Sequence, residues 1–589
     1  MSALWQKLNQ RKIVQWAVAY LAAGWLALQV TGFLAQSFGW PALLLRSFTV
    51  LAGVGFLAVL IVAWYHGERG QQRVSGVELL MLATLLVIAG ATLSLVRPTP
   101  KAAGSAKAAT DPSASAPPAY QASVAVLPFD EIGARAGEPY FSEGITEEII
   151  SELAKVEGLK VISRTSVVAL KRTSLTLPQI ADTLGVRHVL EGSVQRSGDR
   201  IRITAQLIDP RTDTHIWSES YDRELRDVFA LQDDIAREVS AALLTRVQGL
   251  RPRAAGSRTA ETGAYDAYLR GTYWRQRRTR DGLLEAIRAF EQAIALDAAY
   301  APAYAALSTA HTLWVIFGYR DELDAYAHLA RALRMAERAV ALDSSSAEAY
   351  AARGFAGVFA SASSERVLAD LERAVRLGPS SGEIPIWHAV ALAYARRYDE
   401  AMAEAETAIA LDPLAPGPRG AFASIALSAR RYDFALREAR RARVLEPKFL
   451  VPLYQEALAL LLLGRAAECA RGEVGPYAAV KAMCLYSAGE TARAAAIIDS
   501  LADSARGGAR ESWIDPGLLA ADIATYHAWI GDAEKTVNWL RRAAEESPQA
   551  PRWFVVSSGV FDPVRTAPRF QQEFERIRAG VRARLERSR

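Results

Sequence analysis

The stretch ARRYDEA at residues 395–401 returns as ARRYDFA at 429–435, an offset of 34 residues. The same offset relates Ala408 to Ala442, Leu411 to Leu445 and Pro413 to Pro447, and Leu377-Gly378-Pro379 precedes Leu411-Asp412-Pro413 by the same distance. Earlier copies, AIRAFEQAIALD (286–297) and ALRMAERAVALD (332–343), stand 46 residues apart, so the connection between them is longer. Later copies are degenerate: YSAGETARAAAIID (486–499) and HAWIGDAEKTVNWLRRAAEESP (527–548). A fixed period of this length marks stacked units, none of which can bury its apolar face alone.

The small residues carry the physical reason. Ala286, Ala332, Ala401 and Ala435 fall where two helices of one hairpin cross closely, and Ala293, Ala339, Ala374, Ala408 and Ala442 where the next unit packs. Proline follows the second helix and stops it. This pattern resembles the tetratricopeptide repeat. It predicts seven or eight repeats over 264–548, stacked as an all-α superhelical solenoid with a concave binding face, followed by a helical tail at 549–589. Partner binding is expected on that concave face, with no individual residue assigned.

The chain has 589 residues and a formal charge of +5, which is small for that length and does not argue for nucleic acid. Its two cysteines, Cys469 and Cys484, form no C-x-x-C motif, which excludes a disulfide framework and a cysteine zinc site. One bridge or two buried thiols both fit.

Three apolar segments, about 13–35, 47–65 and 79–96, each approach the ~20 residues that cross a hydrocarbon core. Trp5, Trp16, Trp40, Trp64 and Tyr65 lie near their ends, as interfacial aromatics do. They predict a membrane anchor of three transmembrane helices over 1–96. Lys7, Arg11 and Lys12 before the first segment and Arg69 and Arg73 after the second place the N-terminus in the cytoplasm by the positive-inside rule. A multi-pass inner-membrane protein with periplasmic soluble domains is the resulting expectation. Residues 97–121, rich in Pro, Ala and Ser, read as a flexible linker.

Periodicity changes at SVAVLPF, a strand-type run that opens an α/β domain over 122–250. FSEGITEEIISELAKVEG has helical spacing, with Ile145, Ile149, Ile150 and Leu153 on one face and Ser142 or Thr146 as candidate caps. LKVIS is a second strand, and LTLPQIADTLG a helix with Pro178 in its first turn and Gly185 as its stop. Residues 189–209 form a hairpin, with Ile201, Ile203, Ala205 and Leu207 on one side and Arg200, Arg202, Thr204 and Gln206 on the other. THIWSESYDREL and residues 227–248 supply a last strand and a closing helix. Residues 124–250 hold 15 Lys/Arg against 20 Asp/Glu, a net of −5, so the hairpin reads as a solvated face with cross-strand ion pairs and not as a nucleic-acid wing.

No phosphate-binding, dinucleotide, zinc-protease, nucleophile-elbow or EF-hand motif occurs. His66, His188, His215, His311, His328, His388 and His527 show no metal-ligand spacing, and the pairs Glu147-Glu148 and Asp233-Asp234 read as solvated helix surface. RGTYWRQRRTR (270–280) mixes aromatics with five arginines; it could meet an acidic partner or lipid headgroups, but reads as a solvated capping face of the first repeat. No catalytic, cofactor or metal residue is assigned, no cofactor is expected, and the chain is expected not to be an enzyme.

The segments SVAVLPF, EPYFSEGITEEIISELAKVEGLKVISRTSV, IADTLGVRHVLEGSVQRSGDRIRITAQLIDPRTDTHIWSESYDREL and FALQDDIA together resemble the TolB N-terminal-like (FlgO/CsgG-related) domain that precedes tetratricopeptide repeats in many bacterial proteins. LWQKLNQRKIVQWAVAYLAAGWLALQV is similar to the membrane module that often comes before it, and FDPVRTAPRFQQEFERI (561–577) to the usual end of such chains. Relatives often carry a winged-helix, nucleotide cyclase or kinase domain ahead of the membrane span; with about a dozen residues before the first apolar segment, none of these is expected here. The fold class expected is a membrane-anchored multidomain chain: three transmembrane helices, a small α/β TolB-N-like domain, then the solenoid. The function implied is a non-catalytic scaffold for protein or peptide partners, without nucleic acid. The alternative is a membrane sensor or regulatory subunit acting with a separate cytoplasmic effector.

Overall fold

The computed structural model describes residues 122–588 except 133–138, 171–172, 198–199, 225–226, 245–260, 320–322, 361–363, 507–515 and 549–552. The expected spans at 13–35, 47–65 and 79–96, and the linker at 97–121, lie outside the described residues. Among those residues no helix is long and apolar enough to cross a membrane. The membrane-anchored fold class and the multi-pass inner-membrane location are therefore corrected: the fold shown is mostly helical and repeat-like.

An α/β module comes first. Its strands are β1 (Ala122–Val126), β2 (Asp130–Glu131), β3 (Leu159–Val161), β4 (His188–Ser197), β5 (Arg200–Asp209) and β6 (Thr214–Glu224). The sheet order is β3-β1-β4-β5-β6, with β2 beside β4. β1 runs parallel to β3 and β4, and β4-β5-β6 form an antiparallel meander. Helices α1 (Pro139–Ala154) and α4 (Val228–Leu244) pack on the sheet, while α2 (Arg164–Leu170) and α3 (Leu177–Leu184) touch β1 and β4. The alternation in β5 buries Ile201, Ile203, Ala205 and Leu207, as period-2 spacing requires. Gly192 admits no side chain, because a Cβ there would lie 2.2 Å from the Thr204 carbonyl and 2.8 Å from the Phe129 ring. Gly185 ends α3 in the left-handed conformation at φ 63°. One expectation fails locally: Ser142 and Thr146 do not cap α1, which begins three residues before Ser142. Thr146 instead donates to the Ser142 carbonyl at 2.8 Å and accepts from the Phe129 amide at 3.1 Å, tying α1 to the end of β1.

Eight helix pairs follow: α5 (Thr262–Arg275) with α6 (Arg280–Leu296), α7 (Ala301–Ile316) with α8 (Ala325–Leu342), α9 (Ala347–Phe359) with α10 (Ser364–Leu377), and α11 (Ile384–Tyr394) with α12 (Tyr398–Leu411). Then come α13 (Pro416–Ser428) with α14 (Tyr432–Leu445), α15 (Val451–Leu462) with α16 (Ala466–Arg471), α17 (Ala478–Ser487) with α18 (Thr491–Arg506), and α19 (Pro516–Trp529) with α20 (Ala533–Glu546). Each first helix packs on the first helix of the next pair, so these helices form the inner, concave row of a tetratricopeptide solenoid. Every alanine named above in the repeat pattern is fully buried. The turns inside pairs four, five and six each hold one left-handed residue: Arg396 (φ 62°), Arg430 (φ 60°) and Gly464 (φ 73°) recur at the repeat offset. A non-glycine residue there costs about 1 kcal/mol, which accounts for glycine replacing arginine in the later copy. Cys469 and Cys484, on α16 and α17, are joined in a disulfide, which settles the pairing left open by the sequence.

The tail does more than extend the stack. α21 (Trp553–Ser557), a 3-10 turn (Gly559–Phe561) and α22 (Asp562–Arg565) lie on α13, α15 and α19, all members of the inner row. Val560, Phe561 and Val564 are buried there. Arg430 holds Asp562 with two bonds of 2.7 Å, and Arg565 donates to the Val556 and Ser558 carbonyls at 2.7 Å. The last helix, α23 (Pro568–Ser588), packs on α20 and on α8 of the second repeat, burying Val581 and Leu585 beside Tyr326 and Leu329.

Candidate functional site

With the first helices of repeats five, six and eight covered by residues 553–565, the open part of the inner row is in repeats one to four. The α/β module faces it. The module is held by the turns that the repeat period places after second helices. The Ser163 amide donates to the Leu411 carbonyl at 2.8 Å, and Ser380 bonds the Ala154 and Leu159 carbonyls. The Ser166 hydroxyl donates to Asp412 at 2.6 Å and accepts from the Leu414 amide at 2.9 Å. Asp412 is buried, and burial pushes its carboxyl up to about 6 against the opposing bonds from Ser166 and Ser163.

A cavity of about 140 Å³ remains between the two parts. Helical spacing explains its module wall: Ile145, Ile149 and Leu153 of α1 turn to the sheet, whereas Glu148, Ser151, Glu152 and Lys155 fall on the other side and line the cavity. The solenoid wall is Tyr268 and Arg275 of α5, Tyr300 just before α7, Ala306 of α7, Glu348 of α9, Trp387 of α11 and Glu383 just before it. The aromatic surfaces are fixed by ring packing: Tyr268 meets Tyr300 edge-on at 5.3 Å, and Trp387 stacks on Phe355 at 4.2 Å.

Most charges around the cavity are paired. Lys155 binds Glu152 at 2.6 Å. Arg275 and Arg278 bind Glu383 at 3.2 and 2.7 Å. Gln276 donates to Glu147 at 3.0 Å, and Ser346 to Glu348 at 3.1 Å. Glu148 makes no hydrogen bond or ion pair among the described residues. Burial pushes its carboxyl up to about 8; Glu152 adds to the rise and Lys155 opposes it. Burial lowers Lys155 less than Glu348 and Glu152 raise it, so it stays cationic. Burial raises Glu383, but Arg275 and Arg278 outweigh this and hold it below the usual carboxylate range. Burial also raises the Tyr268 and Tyr300 phenols, keeping them neutral.

Several sequence expectations change here. The run 270–280 is only partly a solvated cap: residues 277–280 are exposed, but Arg275 and Arg278 pair with Glu383, Gln276 bridges to Glu147 and Arg164, and Arg277 stacks on Tyr273 and Trp274. Its acidic partner is internal. Glu147-Glu148 is not free surface either, because the docked solenoid covers it. Asp234 of the other carboxylate pair bonds Arg237 at 2.7 Å, at the surface. The hairpin arginines behave as expected in kind: Arg200 and Arg202 share Asp222 of β6 at 2.6 and 2.9 Å. Arg196 turns instead to Asp266 of the first repeat at 3.0 Å. His311 and His328, 17 residues apart in sequence, meet through their Nδ1 atoms at 2.8 Å, and Trp314 stacks on His328. Among the described residues no three His, Cys, Asp or Glu side chains gather as a metal site.

The module matches the family model of the HilA/YgeH-like transcriptional regulator, second domain, over residues 120–238. That match lends no support to the expected TolB kinship. A protein of Rhizobium meliloti (strain 1021) named "Putative adenylate cyclase 3" is 41% identical over 187 residues, 32% of this chain and 32% of that protein. The chain thus spans about a third of the curated relative it matches. The expectation that the chain is not an enzyme is corrected by this relative, whose name points to a possible enzyme. Among solved structures, a thermophilic tetratricopeptide repeat protein of Thermus thermophilus is 21% identical, covering 34% of this chain and 99% of its own, with a TM-score of 0.28. YrrB, titled a tetratricopeptide protein with an unusual peptide-binding site, is 19% identical, covering 33% and 91%, with a TM-score of 0.23. The repeat fold rests on the helix pairs described above.

Proposed function

We propose that the chain is a protein-interaction scaffold whose junction cleft receives a peptide segment of a partner. The observation that carries this reading is the division of the inner row: residues 553–565 cover the first helices of repeats five, six and eight, while repeats one to four keep an aromatic-walled cavity facing α1. Extended segments suit such a cleft, because fixed aromatic and polar walls recognise alternate side chains without reorganising. In the same reading, 122–250 and 264–548 act as two domains joined through the Ser166–Asp412 contact. The test is binding of a random heptapeptide library to the full chain and to Ser151→Trp, which fills the cavity from a partly exposed helical position. Peptides held by the parent and lost by the variant support the reading; equal retention by both defeats it.

A second reading follows from the 41% identical relative: a catalytic or regulatory part in nucleotide cyclisation. Incubating the full chain with ATP and a divalent cation, then measuring cyclic AMP, tests it. Product formation above a heat-denatured control favours it.

A further inference from the structure

We infer that the peptide received by the junction cleft presents a lysine or arginine side chain, whose cationic head pairs with Glu148. This rests on the scaffold reading and gives the ligand its chemistry. Three observations converge. The lining contains five carboxylates (Glu148, Glu152, Asp343, Glu348, Glu383) and two cations (Lys155, Arg275), so that with Glu148 protonated an excess of two negative charges remains, and with it ionised an excess of three. Both cations are already engaged, by Glu152 and Glu383. Among the lining carboxylates, Glu148 has no hydrogen bond or ion pair within the described residues, while Glu152 and Glu383 are ion-paired and Glu348 accepts from Ser346.

The geometry favours an organic cation over the other classes. An anion would meet the net negative lining and find no unengaged cation there. A metal ion needs several ligands at once, and no such group of three forms among the described residues. A neutral apolar side chain would cover Glu148 and raise the cost of ionising it further. A long cationic side chain avoids these costs: its methylenes lie along the Tyr268 and Trp387 rings and its head reaches the Glu148 carboxylate. Glu148 is then protonated in the empty cleft at neutral pH and ionised in the filled one. The groups that face it are Glu147, Glu152 and Lys155 on its own side of the cleft, with Glu348 and the neutral phenols of Tyr265, Tyr268 and Tyr300 across it. None of these neighbours is a free cation that could replace the ligand.

The experiment uses the full chain and four heptapeptide pools with the central residue fixed as Lys, Arg, norleucine or Glu. The Lys and Arg pools are expected to bind at least tenfold more tightly than norleucine, and Glu148→Gln to abolish that preference while remaining folded, with a melting temperature at or above the parent's. With a carboxyl near 8, Arg-pool affinity should rise about tenfold from pH 7 to pH 9 in the parent and stay flat in Glu148→Gln. Equal binding of the norleucine pool, or a basic preference that survives Glu148→Gln, overturns the inference and leaves peptide binding standing. If no pool binds the parent, the scaffold reading itself falls and takes this inference with it.

Discussion

Replacing Glu148 by glutamine should make the protein more stable at high pH and leave it unchanged at low pH. The carboxyl rises from an ordinary 4.5 to about 8 in the folded chain. Between those values the folded state holds a proton that the unfolded state has lost, so raising the pH removes stability. The contribution is complete below 4.5 and is lost as pH passes through about 8. At 1.36 kcal/mol for each pH unit, that interval gives an upper bound of about 5 kcal/mol. The side chain is only half-buried and Lys155 is near, so roughly 2 kcal/mol is the working magnitude. Glutamine copies the protonated shape and cannot ionise. Urea unfolding at pH 5, 7 and 9, followed by tryptophan fluorescence, reads the difference. The variant should match the parent at pH 5 and exceed it by roughly 2 kcal/mol at pH 9. Asp412, raised to about 6, titrates alike in both proteins and cancels. A variant curve parallel to the parent's at every pH, or a less stable variant at pH 9, would refute the reasoning.

Other perturbations probe the remaining joints. Ser166→Ala leaves the Leu414 amide and the buried Asp412 carboxyl short of a partner; it should cost about 1–3 kcal/mol and speed protease cleavage between module and solenoid, seen by limited proteolysis. Phe561→Ala removes a buried ring from the tail on the inner row, and a loss of about 3–5 kcal/mol is expected, with faster amide hydrogen exchange over 553–565 and not over 122–224. Gly354→Ala would put a Cβ 2.5 Å from Leu371; calorimetry should show a loss of about 1–3 kcal/mol from overpacking.

The repeat was legible because its signal is local and periodic. Ala401 and Ala435 sit in equivalent crossings, and every copy must solve the same packing problem. The hairpin was legible for the same reason, since alternation in β5 decides which side is buried. What stayed hidden depends on contacts distant in sequence. Glu148 looks solvated on its own helix, and only the docked Tyr268 and Tyr300 enclose it. Arg275 and Arg278 look like surface until Glu383, more than 100 residues away, is placed beside them. The tail's amphipathic residues name no partner, so their seat on α13, α15 and α19 could not be read from them. The Ser142 and Thr146 caps failed because both hydroxyls were claimed by tertiary structure: Thr146 receives the Phe129 amide, and Ser142 bonds Glu131 at 3.3 Å.

Photo-crosslinking tests the junction cleft most directly. A benzophenone amino acid placed at Ser345, an exposed residue of the lining, should crosslink to a bound peptide from the arginine pool. The same group at Val444, 82% exposed on α14, should not. Adducts at 345 that vanish in Ser151→Trp are the expected result; adducts at 444, or none at 345 while the peptide is bound, would contradict a peptide-receiving cleft between module and solenoid.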